Sequence, residues 1–91
     1  MGRPEDPQYL VSILFAASAA EAFAELPEPV KRRAAKSIEL LEMYPKLFPV
    51  RMRGLMRGYR YFVVGKHLFY YRLSSDEVRI AAIIPGAMRR A

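Results

Sequence analysis

Residues 59–84 constrain this chain more than any other stretch. Three runs rich in Val, Ile, Phe and Tyr are cut by Gly65-Lys66 and by Ser74-Ser75-Asp76-Glu77. β-Branched and aromatic residues suit a pleated, half-buried surface, and short polar turns between such runs close hairpins. The pattern reads as a three-stranded antiparallel meander. Pro85 has no N–H for the ladder, so the last strand should stop there. Phe62, Phe69, Tyr70 and Tyr71 cannot all face inward by parity, so some aromatic surface is expected outside.

What packs on the meander must come from upstream. Residues 1–8 carry Pro4 and Pro7 and nothing apolar beyond Met1, and read as a flexible leader; residues 9–91 read as a single domain. In residues 9–17, Tyr9, Val11, Ile13 and Phe15 alternate on one face, with Leu10 and Leu14 on the other. That spacing suits a strand covered on both faces for much of its length. A helix running straight through from Tyr9 is the alternative. The stretch also imitates a signal-peptide core, but Glu5 and Asp6 precede it where a positive run belongs, and it is too short to span a bilayer. Ser18-Ala19-Ala20-Glu21 has the form of a capping box, so a helix is expected over 18–26, with Ala19, Ala22, Phe23 and Leu26 on one face. Pro27 ends it and Glu28-Pro29 starts another, over 29–43, with an apolar stripe of Val30, Ala34, Ile38 and Leu41. Leu26, Ile38 and Leu41 should be among the most buried side chains. Val50 to Gly58 reads as a short strand or ordered loop. Strand, two-helix hairpin, then meander gives an α+β domain with the helices on one face of the sheet.

Charge decides which functions to consider. Residues 1–48 hold six Lys/Arg and seven Asp/Glu, whereas residues 49–91 hold nine and two. A basic half interleaved with aromatics attracts nucleic acid or an acidic protein. There is no Cys and a single His, which excludes a disulfide scaffold, a thiolate metal site and the usual multi-histidine metal sites. No cofactor motif is present. If Arg60 and His67 share a face across the Gly65-Lys66 turn, a cation and an imidazole meet there, as phosphodiester chemistry needs. The plainer alternative is a histidine that only makes a structural hydrogen bond at a strand end.

The whole pattern is more specific than its parts. His67-Leu68-Phe69-Tyr70-Tyr71-Arg72-Leu73, then Asp76-Glu77-Val78-Arg79-Ile80, then Ile83-Ile84-Pro85-Gly86-Ala87-Met88-Arg89, resembles the C-terminal half of the RelE/ParE toxin superfamily. ParE-like members show a similar His-Leu-Ile-Phe-Tyr-Arg strand and an Ile-Leu-His-Gly-x-Met ending. Phe15 to Ala20 and Leu40 to Pro45 sit where such proteins enter their first helix and leave their second. The resemblance spans residues 9–89. It implies a cytoplasmic toxin of a bacterial toxin–antitoxin pair, bound by an antitoxin and needing no cofactor, metal or membrane. ParE toxins poison DNA gyrase; RelE toxins cleave mRNA on the ribosome. On the RelE reading the catalytic residues would be Arg60, His67 and Arg89. Arg51, Arg53, Arg57, Arg72, Arg79, Arg90 and Tyr71 would bind the target or RNA on either reading. Pro85 replaces the family's closing-strand histidine, and no Tyr or His follows Arg89 in this sequence. The expectation is therefore a ParE-like, non-enzymatic toxin, with a RelE-like endoribonuclease or an inactive member as alternatives.

Overall fold

The computed structural model describes residues 10–86. In chain order they form β1 (Ser12–Phe15), α1 (Ala17–Ala24), α2 (Glu28–Met43), β2 (Arg60–Val64), β3 (His67–Ser74) and β4 (Glu77–Pro85). The strands make one sheet in the order β1-β4-β3-β2. β2, β3 and β4 are the expected antiparallel meander, and β4 ends at Pro85. β1 joins β4 in parallel, with Ile13 opposite Val78 and Phe15 opposite Ile80. The segment after the leader is therefore a strand and not a through-helix. Residues 1–9 and 87–91 lie outside the described residues, and with them the leader, Tyr9, Arg89 and Arg90.

Alternation builds the core. Val11 just before β1, Ile13 and Phe15 from β1, Phe62 and Val64 from β2, Phe69 and Tyr71 from β3, and Val78 and Ile80 from β4 meet Ala19, Leu26, Ala34 and Leu41 of the helical segment. Phe62 lies between Phe69, stacked at 4.9 Å, and Phe48, tilted at 4.9 Å. Aromatic pairs at this separation add to the area they bury. Both helices cover this one face of the sheet.

Four expectations need correction. Ser18 is no cap: α1 begins at Ala17, its N-cap is Ala16, and no side chain bonds the free N–H groups. The chain leaves β1 at Phe15 already turning, because Ala16 N–H donates to Ile80 O while Ala20 N–H donates to Ala16 O. Leu10 and Leu14 are exposed, so β1 is covered on one face only. Ile38 is half-buried, at the edge of the core, whereas Leu26 and Leu41 are buried as expected. Lastly, Phe62, Phe69, Tyr70 and Tyr71 are all buried. Tyr70 does stand on the face away from the helices, but Tyr61 packs on it at 5.9 Å and Arg51 donates to its hydroxyl at 3.3 Å.

Candidate target-binding face

The connector between α2 and β2 positions several of the candidate residues. Two side chains hold it. Arg60 Nη1 donates to Phe48 O at 2.7 Å and reaches Lys46 O at 3.4 Å. Tyr71 Oη donates to Pro45 O at 2.8 Å. The chain then runs antiparallel to the start of β2: Tyr61 N–H donates to Pro49 O and Arg51 N–H to Tyr59 O. Burial raises the Tyr71 pKa above the ordinary tyrosine value; a hydrogen bond from the Phe48 backbone and the charge of Arg60 oppose that rise. The phenol therefore stays protonated, and a donor, at neutral pH.

Two expected site residues thus turn out to be braces. Tyr71 is fully buried, and its hydroxyl is committed to the connector, so it offers no open contact surface. Arg60 lies on the helix side of the sheet, in parity with Phe62 and Val64. His67 shares that helix-side face, but four residues beyond Tyr71's end of β3, because Arg60 pairs with Tyr71 and Val64 with His67. The separation along the strand is about 13 Å. His67 borders a shallow cleft of about 220 Å³ with Ala22, Glu25, Leu26, Ile83 and Pro85. Its Nδ1 is buried and has no hydrogen-bond partner among the described residues. Arg60 and His67 are on one face, but the Arg60 guanidinium is turned to the connector carbonyls.

Among the described residues, Arg72 and Arg79 stand on the other face. Arg72 and Arg79 are directly opposite each other on β3 and β4, and both are exposed. Like charges in that position destabilise a sheet. Here the cost is offset locally: Arg72 sits 5.0 Å over the Tyr59 ring, and Arg79 lies 3.7 Å from Glu77. Leu14 continues the row beyond Arg79. Arg53 and Arg57 are exposed on the loop before β2, whereas Arg51 is half-buried and donates to Arg53 O and Tyr70 Oη. Arg51 is a strut that ties this loop to the outer face. Tyr59 and Tyr61 are missing from the residues expected at the site; their i, i+2 spacing on a strand is the signal that places both on this face.

The face as built can hold an anionic or acidic macromolecule over Arg72, Arg79 and the flanking loop, with exposed Met52 and Leu55 at the loop's tip. Among the described residues no group of His, Asp or Glu is placed to hold a metal. No described helix is long and apolar enough to cross a membrane.

A small α+β domain with a helix-covered sheet face and a basic, tyrosine-bearing open face is the class this geometry defines. No family model matches the sequence, and no curated protein does. Solved structures do. The isolated RelE toxin of E. coli superposes with a TM-score of 0.72 at 13% identity, over 88% of this chain and 97% of that one. The RelE-RelB complex of Pyrococcus horikoshii OT3 gives 0.69 at 17% identity, over 85% and 96%. The ParDE system of P. aeruginosa gives 0.60 at 13% identity, over 85% and 97%. The chain has the fold of the RelE/ParE toxins.

Proposed function

We propose that this chain is the toxin of a type II toxin–antitoxin pair, and that it acts in the cytoplasm by binding a macromolecular target, as ParE toxins bind DNA gyrase, not by cleaving one. One observation carries the non-catalytic part. His67, the one imidazole, sits on the helix-covered face, whereas Arg72, Arg79, Arg53 and Arg57 sit on or beside the open face. Cleavage through a 2′-hydroxyl needs acid, base and cation around one phosphate. Arg72 and Arg79 are across the sheet from His67, and Arg60, on His67's side, is four ladder positions away and bonded to the connector carbonyls. The antitoxin belongs to the proposal because the neighbours include RelE bound to RelB and the ParDE system. A net charge of +6 gives an acidic antitoxin a surface to cover.

A second reading is a ribosome-dependent endoribonuclease. It is favoured by the fold comparison, where RelE superposes at 0.72 and the ParE system at 0.60. One assay separates the two. Messenger 5′ ends are mapped in a translating extract with and without the protein, alongside His67→Ala and a protein with Arg89 and Arg90 both replaced. Binding without cleavage gives unchanged 5′ ends; growth arrest then survives His67→Ala and weakens when Arg89 and Arg90 are lost. Cuts at the ribosomal A site that vanish in His67→Ala or Arg60→Ala would put the nuclease first.

A further inference from the structure

β3 is longer than β2 at one end. The ladder between them stops at Arg60 opposite Tyr71, while β3 continues to Ser74. Tyr59 is drawn away by its bond from Arg51, so Leu73 has no β2 partner beside it. Along β2, Tyr59 and Tyr61 face the connector, so Arg60 faces β3 and pairs with Tyr71. By the alternation of an antiparallel ladder, the N–H and C=O of Leu73 then point to this open side.

A cleft of about 280 Å³ opens there, lined by Lys46, Val50, Gly58, Arg60, Tyr71, Arg72 and Leu73. Three of its residues are cations, Lys46 from the connector, Arg60 from the helix side of the sheet and Arg72 from the outer side, which meet the cleft at the sheet's edge. No Asp or Glu occurs between Glu42 and Asp76, so the whole connector, loop and hairpin supply no acid to neutralise them. Two of the cations are already fixed. Arg60 is held by the Phe48 and Lys46 carbonyls, and Arg72 by the Tyr59 ring. Fixed cations lose little freedom when an anion arrives. The loop wall is fixed as well: Gly58 N–H donates to Arg51 O and Arg57 N–H to Gly54 O. Gly54 at φ 84 and Gly58 at φ 92 take the left-handed conformations that this closed loop requires.

We infer that this cleft seats the carboxylate of an acidic peptide, bound in extended form along the free edge of β3 at Leu73. Phosphate would use the cations equally well. A peptide also uses the strand edge, because its own N–H and C=O can pair with those of Leu73, which a nucleic-acid backbone cannot do. The space suits a short acidic side chain and is too small for a helix. The inference rests on the toxin reading only in naming the antitoxin as the natural source of such a segment.

The test uses the full chain, labelled for amide NMR. The probe is a capped peptide of alternating Glu and Val; the same peptide with Gln for Glu, inorganic phosphate and oligouridine are the comparisons. The Glu peptide should shift the Leu73, Arg72 and Gly58 amides saturably at low salt, and the Gln peptide should not. Arg72→Gln and Lys46→Gln, both at exposed positions, should each weaken binding about tenfold with the melting temperature unchanged; Arg72→Lys should recover part of the loss. Equal shifts from the Gln peptide, or tighter binding of phosphate or oligouridine at these amides, overturn the inference. The protein encoded beside this gene separates the two readings. If it binds this chain equally well after Arg72→Gln, the cleft assignment fails and the toxin reading stands. If it does not bind at all while the Glu peptide does, the toxin reading fails and the cleft stands.

Discussion

Tyr71 shows how one side chain is claimed by structure. Its ring lies in the core, 6.3 Å from that of Phe62, and its hydroxyl donates to Pro45 O. Tyr71→Phe removes that donor at no cost in volume and should cost about 0.5–1.5 kcal/mol, read in urea titrations. The pH dependence has a definite sign. The folded-state pKa is raised, so above about pH 10 the unfolded chain releases its proton before the folded one does. Tyr71's contribution is complete below that pH and is lost as pH rises toward the folded-state value. Wild-type stability should therefore fall in that alkaline window more steeply than that of Tyr71→Phe. Parallel curves would show that the phenol is not desolvated. Parity could place Tyr71 on a face; it could not say which groups would cover that face.

At the scale of elements, α2 was readable and α1 only partly. Pro29 in the first turn, the apolar stripe and Pro45 bound α2 closely, and Glu28–Met43 is what forms. Leu41 is fully buried in it, so Leu41→Ala should cost about 2–5 kcal/mol, seen as a lower denaturation midpoint. Ser18, by contrast, is an exposed residue inside α1 and caps nothing. Ser18→Ala should be neutral or slightly stabilising, since alanine is the better helix former; a loss near 1 kcal/mol would restore the capping box. β4 carries a feature with no signature in the sequence. Opposite Tyr70 and Tyr71 its register jumps from Ala82 to Ile80, leaving Ala81 as a bulge. The extra residue resets the parity, so Ile80 and Ile83 both face the core. Strict alternation would have sent one of them outward.

For the whole molecule, the two sheet faces divide the labour. One carries the core; the other buries Leu68 and Tyr70 but exposes Arg72 and Arg79. Association with an acidic partner should then be fast at low ionic strength and slow with added salt, mainly through the association rate. Stopped-flow mixing with the co-encoded protein measures this directly. A rate indifferent to salt would mean that Arg72, Arg79, Arg53 and Arg57 do not steer the encounter.

The α+β class, the meander, its two turns, the helix hairpin and the basic C-terminal half follow from local pattern. Each depends on residues close in the chain: β-branched runs, prolines, an i, i+4 stripe, a count of charges. The parallel seat of β1 beside β4, the bulge at Ala81, and the sides of the sheet taken by Arg60, His67 and Arg72 were decided by tertiary structure. These depend on pairings between residues far apart in the chain. The meander's residues are apolar on both faces, so the pattern alone left open which face the helices would cover. Once α1 and α2 took the side of Phe69 and Tyr71, Arg60 and His67 went with that side, while Arg72 and Arg79 were left to solvent.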